Sequence, residues 1–147
     1  PPIVTPDVNI LVAASRSDHP QHVPALACLE QALAGASAGR PLALQPMVIA
    51  SFLRLVTNPR VFVTPTPISA ALKFVDAILE APGVEQPQLG GEWHLLREIC
   101  TNNKLAANDI PDAWLAAAVA HQGEHLVTFD GDFRRLLSRA QFTRLSA

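Results

Sequence analysis

The chain has 147 residues, of which 49% are hydrophobic and 16% are charged, and its formal net charge is −2. This length suits one domain with its own core, so we expect a single domain over residues 1–147. No apolar run reaches the ~18 residues of a membrane span, and the small net charge excludes nucleic-acid binding through the overall field alone. Two cysteines without metal-binding spacing predict reduced thiols buried in the core of a cytoplasmic protein.

Strand-like and helix-like segments alternate along the chain. Strands are predicted at 3–4, 42–44, 84–89, 125–129 and 142–145. Helices are predicted at 10–14, 21–36, 47–56, 68–80, 91–104, 111–120 and 133–137. This alternation indicates an α/β fold, in which helices cover both faces of a parallel sheet.

Acidic residues mark two structural junctions within residues 108–133. Asn108 or Asp109 is available as the N-cap of the helix at 111–120, and Asp112 falls in its first turn. Asp130 lies just beyond the end of the strand at 125–129. Ligands of open α/β sheets bind outside the carboxyl ends of the strands. This stretch therefore predicts a functional site.

Asp7 occupies the same kind of position at the end of the first strand. If both strands are central in one parallel sheet, Asp7, Asp112 and Asp130 converge. Three carboxylates so close cannot all stay ionised without a cation, and oxygen ligands suit Mg²⁺ or Mn²⁺. We therefore predict a metal site, to which Asp132 contributes directly or through water unless it only caps the following short helix. Asn9 and Thr128 are expected to orient a carboxylate or a water there.

Four segments in a fixed order carry a resemblance to a known family. They are Asp7-Val8-Asn9, the run FLRLVTNPRVF at 52–62, Pro111-Asp112-Ala113, and the run LVTFDGDF at 126–133. The ordered set resembles a PIN domain of the VapC toxin type and spans nearly the whole chain. The resemblance implies a three-layer α/β/α sandwich with a mostly parallel sheet, and catalytic acids at Asp7, Asp112 and Asp130.

The same resemblance implies an activity and partners. The expected activity is Mg²⁺- or Mn²⁺-dependent hydrolysis of phosphodiester bonds in structured RNA (tRNA, rRNA or mRNA) by the toxin of a type II toxin–antitoxin system. The ion would activate a water for in-line attack and offset charge on the phosphate oxygens, so no histidine base is required. The expected partners are a VapB-type antitoxin and a second copy of the chain in a symmetric dimer.

One acidic residue of the family pattern is missing. A further glutamate is expected near Ser51, or near Ile49 in a shifted alignment, yet no Asp or Glu lies between Glu30 and Asp76. The departure keeps open a second reading, a catalytically weak or silent PIN-like domain that binds RNA or a protein partner. Ser51 is retained as a supporting member of the site.

Two further hypotheses concern charges elsewhere in the chain. Arg54, Arg60 and Arg134 are either ordinary solvated charges or contacts to RNA phosphates. A phosphoacceptor signalling module also gathers acids at strand ends, but its acceptor aspartate should follow a central strand. Residues 31–75 contain no acid, which disfavours that class.

Overall fold

The protein is described from a computed structural model that covers residues 3–107 and 109–146. Within these residues one sheet of five strands has the order β3-β2-β1-β4-β5, and every pair is parallel. The strands are β1 Ile3–Pro6, β2 Leu42–Ala43, β3 Val84–Glu85, β4 Glu124–Thr128 and β5 Phe142–Arg144. The predicted α/β class with a parallel sheet is confirmed, and the first strand lies beside the fourth. The single-domain organisation stays a prediction.

Six α-helices within the described residues pack around this sheet. They are α1 Val8–Ser15, α2 His22–Ser37, α3 Pro46–Val56, α4 Ile68–Glu80, α5 Trp93–Asn103 and α6 Asp109–Gln122. The bounds of α4 are those predicted, and the other bounds differ from prediction by a few residues. The predicted strand at 84–89 is reduced to two residues. Pro87, which has no N–H to give to a ladder, follows shortly after it.

Two predictions about helix ends need correction. Asp109 is the first residue of α6 and not its N-cap, and Asn108, the alternative cap, lies outside the described residues. The helix predicted at 133–137 is a 3₁₀ turn, Gly131–Arg135. The turn begins earlier because the Asp130 carboxylate accepts a hydrogen bond of 2.8 Å from the Asp132 N–H and so caps its start.

The neighbouring strands β1 and β4, together with α6, bring residues from distant parts of the sequence to one edge of the sheet. Residues Ile3 to Pro6 of β1 lie opposite Glu124 to Val127 of β4, so both strands end at the same edge of the sheet. Alanines make up much of α6, and its buried positions include Ala113, Ala116 and Ala117. Small side chains allow the helix to lie close to its neighbours, and this places the first turn of α6 near the ends of β1 and β4.

Arg16 fixes the connection between α3 and α4. Its side chain is 8% exposed, and its guanidinium donates hydrogen bonds to both carboxylate oxygens of Asp18, to the Thr64 carbonyl at 2.8 Å and to Thr66 Oγ1 at 3.0 Å. It also lies 3.8 Å from the centroid of the Phe62 ring. The proline-containing connection is thereby held against the end of α1.

None of the described helices is both long enough and apolar enough to cross a membrane. Cys28 and Cys100 are not joined in a disulfide, and their reduced state stays a prediction. Both are only partly buried, so their predicted place in the core is wrong. Burial nevertheless raises the pKa of the Cys28 thiol.

A buried polar cluster lies at the start of β4. Glu124 is 4% exposed, and its Oε1 accepts hydrogen bonds from Thr5 Oγ1 at 2.5 Å and from Gln45 Nε2 at 2.8 Å. Glu124 Oε2 and Gln45 Oε1 are buried and have no hydrogen-bond partner among the described residues. Burial raises the pKa of the Glu124 carboxyl. A protonated Oε2 would be a donor in place of an unpaired, charged acceptor, so burial here favours the neutral acid.

We expect Glu124→Gln to be at least as stable as the parent at neutral pH, because glutamine mimics the protonated acid. The raised native pKa means that the native state binds more protons than the unfolded state. The stability contributed by Glu124 is therefore present at low pH and is lost as pH rises through the native pKa. Urea unfolding across a pH series should show the advantage of the variant growing with pH. A parent and variant that differ equally at every pH would contradict the neutral form of Glu124.

Candidate active site

Asp7 is a buried carboxylate held in place at the end of β1. It is 4% exposed and caps α1, since its Oδ1 accepts a hydrogen bond of 2.7 Å from the Val8 N–H. Its Oδ2 accepts a hydrogen bond of 2.6 Å from Thr128 Oγ1. Burial raises the pKa of Asp7, and these two hydrogen bonds offset only part of that rise. The predicted strand-end position of Asp7 is thus a rigid one.

Thr128 connects the ends of the two central strands. Besides donating to Asp7, its hydroxyl accepts hydrogen bonds from the Asp130 N–H at 3.0 Å and from Asn9 Nδ2 at 3.2 Å. Asn9 Oδ1 in turn accepts a hydrogen bond of 3.3 Å from the Phe129 N–H. The segment that carries Asp130 is therefore tied to the start of α1. The orienting role of Asn9 and Thr128 towards a metal ligand stays a prediction.

Asp112 lies in the first turn of α6 and is half-buried. Together with Asp7 and Ser51 it lines a cavity of about 40 Å³. The pKa of Asp112 is raised to about 6, first by burial and then by the negative charges of Asp7, Asp130, Asp109 and Asp132. A helix N-terminus favours a negative charge, so burial and the neighbouring acids outweigh it here. The negative charges of these carboxylates therefore repel one another.

Asp130 and Asp132 occupy a less enclosed side of the site. Asp130 is half-buried and caps the 3₁₀ turn, and its charge raises the pKa of both Asp7 and Asp112. Asp132 is exposed, and its backbone N–H makes the capping hydrogen bond to Asp130. The Asp132 carboxylate does not cap the turn, because Asp130 has that role.

The donor chemistry of the site suits a hard divalent cation. Across residues 3–107 and 109–146, no three His, Cys, Asp or Glu side chains form a group that could hold a metal ion as they stand. The prediction of one ion within reach of Asp7, Asp112 and Asp130 therefore stays a prediction. The oxygen donors are nevertheless those that Mg²⁺ and Mn²⁺ accept. Burial and then the neighbouring acids raise the pKa of Asp112, so a divalent cation bound among these carboxylates would offset their mutual repulsion.

The three predicted RNA-binding arginines have different surroundings. Arg54 is exposed in the last turn of α3 and lines a groove beside the acid cavity. Arg60 and Arg134 are exposed and line neither the groove nor the acid cavity. The structure therefore brings Arg54 alone of the three to the walls of these two cavities.

Trp114 and Glu92 were not identified from the sequence. Trp114 lines the same groove, and its indole Nε1 donates a hydrogen bond of 2.8 Å to Glu92 Oε2. The sequence does point to Trp114, because a large aromatic residue two positions after Asp112 is unusual in an alanine-rich helix. Glu92 had no such signal, because only the packing of α5 against α6 brings it to the indole.

The family model of the PIN domain matches residues 4–137. Ribonuclease VapC31 of Mycobacterium tuberculosis is 39% identical over 134 residues, which cover 90% of this chain and 92% of that protein. Ribonuclease VapC43 of the same organism is 37% identical over 130 residues, covering 88% of this chain and 86% of that protein.

Two solved structures share the fold. VapBC2 from Rickettsia felis, bound to a DNA fragment from its promoter, gives a TM-score of 0.63 at 17% identity, covering 98% of this chain and 99% of that chain. Mycobacterium tuberculosis VapC20, a Sarcin-Ricin loop cleaving toxin, gives a TM-score of 0.63 at 18% identity with the same coverage. The family resemblance of the sequence is confirmed. The chain belongs to the PIN-domain family and, within it, to the VapC ribonucleases.

Proposed function

We propose that the chain is an endoribonuclease that depends on Mg²⁺ or Mn²⁺ and acts in the cytoplasm as the toxin of a type II toxin–antitoxin system. Its partners would be an RNA substrate and a VapB-type antitoxin. The observation that carries the proposal is the pairing of Asp7 and Asp112 in one cavity, where burial and nearby acids raise the pKa of Asp112 to about 6. The ribonuclease names of the relatives support the same reading.

Each acid has a role in this proposal. Asp7, Asp112 and Asp130 would hold the ion, and Asp132 would contribute directly or through water. When bound, a divalent ion supplies charge that stabilises the phosphate oxygens and lowers the pKa of a water. Thr128 and the Val8 N–H keep Asp7 in one orientation. With a pKa of about 6, Asp112 is mostly ionised at neutral pH and could serve as a ligand.

The test is cleavage of total RNA by the purified chain, freed of any antitoxin. We expect fragments to appear with Mn²⁺, to be absent with EDTA, and to return when Mn²⁺ is restored. RNA that stays intact with both Mn²⁺ and Mg²⁺, in the presence of a folded protein, would overturn the enzyme proposal.

The second candidate function is a silent PIN-like domain that binds RNA or a protein partner. Ser51 favours it, because this residue lines the acid cavity where the family pattern expects a glutamate. The same assay separates the two functions. A silent domain would bind RNA without cutting it at any metal concentration.

We expect Thr128→Val to lower RNA cleavage by about 10- to 100-fold, the usual effect of losing a group that orients a metal ligand. Valine keeps the shape of threonine but cannot donate to Asp7 or accept from Asp130. The pKa of Asp7 should rise further in this variant, since that hydrogen bond lowers it. Thr5→Val is the matched control, because Thr5 is a buried strand threonine that donates to Glu124, away from the acid cavity. Equal activity of Thr128→Val and the parent would remove the orienting role.

We also propose a symmetric homodimer. Several exposed apolar side chains lie before and at the start of α4: Val61 (49% exposed), Val63 (102%), Ile68 (55%) and Leu72 (43%). A second copy would hide this area from water. Light scattering at micromolar concentration should give the mass of a dimer, and Val63→Asp should shift it towards the monomer. A monomeric parent without added partner would contradict the proposal.

A further inference from the structure

A groove of about 510 Å³ opens beside the acid cavity. Its lining includes Arg54, Ile110 and Trp114. It shares Met47, Ser51 and Pro111 with the acid cavity, so the two spaces have a common wall. A chain bound with a phosphate at Asp7 and Asp112 would therefore have its neighbouring unit at this groove.

Trp114 is exposed in the groove but held firmly. Its neighbours Ala113 and Leu115 are buried, whereas Trp114 is 36% exposed. Glu92, which is 5% exposed, accepts the indole N–H at 2.8 Å and also the Gly90 N–H at 2.7 Å. Burial opposes the charge of Glu92, but the hydrogen bonds from Gly90 and Trp114 help to lower its pKa overall. The indole N–H is thus bound by a carboxylate whose lowered pKa favours its ionised form.

Arg54 adds a positive charge to the same groove. It is exposed, and no described carboxylate lies within ion-pair distance of its guanidinium. An aromatic ring beside an arginine is the combination that binds single-stranded nucleic acid, because bases stack on the ring and the guanidinium pairs with phosphate. A cation at the wall also favours an anionic ligand over an uncharged peptide segment.

We propose that this groove binds one nucleobase of single-stranded RNA, stacked on Trp114, with Arg54 paired to an adjacent phosphate. The proposal rests on the ribonuclease function proposed above and adds a subsite next to the bond that is cut. Glu92 is then a positioning residue, since it acts through the indole.

The direct test uses the fluorescence of Trp114. The chain has two tryptophans, so Trp93→Phe leaves Trp114 as the single indole. This variant is titrated with a single-stranded oligoribonucleotide of mixed sequence in EDTA, where nothing should be cut. We expect saturable quenching, and much weaker quenching by an oligonucleotide that lacks bases. Binding of the RNA without quenching would overturn the proposal.

Variants of the groove provide the second test. Trp114→Ala should weaken binding of the oligoribonucleotide by roughly tenfold or more, within the range for loss of one stacked base, and Trp114→Phe should restore most of it. Arg54→Gln should reduce the salt dependence of binding. Trp93→Ala is the matched control, because Trp93 is 62% exposed on α5 and does not line the groove. Circular dichroism checks that each variant is folded.

The outcomes separate this proposal from the ribonuclease function. Base-dependent quenching in a protein that cuts no RNA with Mn²⁺ supports the subsite and removes the enzyme. A folded Trp114→Ala that cuts and binds RNA as the parent does removes the subsite and leaves the enzyme. If that variant binds RNA normally but no longer binds the antitoxin, the groove belongs to a peptide and the proposal is overturned.

Discussion

Asp112→Asn is expected to abolish RNA cleavage, by at least about 10³-fold, while making the metal-free protein more stable. Asparagine removes a negative charge from the proposed metal site, so the ion loses a ligand. It also removes a charge that burial and the acids Asp7 and Asp130 oppose, as the pKa of about 6 shows. A substitution that lowers activity but raises stability indicates that the acid is kept for function and not for folding.

The sign of the stability change follows from the pKa of Asp112. Its native value of about 6 exceeds the ordinary value of 3.8, so the native state binds more protons between these values. The free energy of unfolding therefore falls as pH rises through that window and stays lower at neutral pH. Asp112→Asn should raise the free energy of unfolding by about 1 kcal/mol at neutral pH. This is less than the full pKa shift implies, because the carboxyl is partly exposed. A rise in Tm of about 2–4 °C would correspond to it.

Thermal melting in EDTA and RNA cleavage with Mn²⁺ measure the two effects. Asp76→Asn is the matched control, because Asp76 is an exposed acid of α4 that does not line the acid cavity. It should change neither quantity. If Asp112→Asn cuts RNA as well as the parent, and melting confirms that both are folded, the metal-ribonuclease assignment is wrong.

Ser51→Glu is expected to tighten Mn²⁺ binding to the free protein by roughly tenfold or more, since affinity for hard cations rises with the number of charged ligands. Ser51 lines the same cavity as Asp7 and Asp112, so a glutamate there adds a third carboxylate to that cavity. The metal-free variant should be less stable than the parent, because the new charge repels the existing ones. Calorimetric titration and thermal melting in EDTA check the two expectations.

Ser51→Gln is the control for this substitution, because it adds nearly the same volume without the charge. It should leave Mn²⁺ affinity close to that of the parent. Glutamine and glutamate variants that bind Mn²⁺ equally would show that Ser51 does not face the ion. The absence of the family's glutamate at Ser51 would then have no effect on metal affinity.

Local sequence patterns are enough to predict several elements of this fold. The helix at 68–80 has its predicted bounds, because an apolar face at helical spacing ends at Ala81-Pro82-Gly83. Asp7 and Asp130 can be assigned to strand ends because a short apolar run precedes each of them. The alternation of strands and helices then selects the fold class.

Tertiary structure alone decided how these parts act on one another. The order of strands places Pro6 opposite Val127, and only this register lets Thr128 donate to Asp7. The hydrogen bond from Trp114 to Glu92 spans 22 residues and depends on the packing of α5 against α6. Periodicity reports which face of an element is apolar but not which element covers it. The sequence by itself therefore determined the acids and their places at element ends, while their orientation, their coupled pKa values and the adjoining groove came from packing.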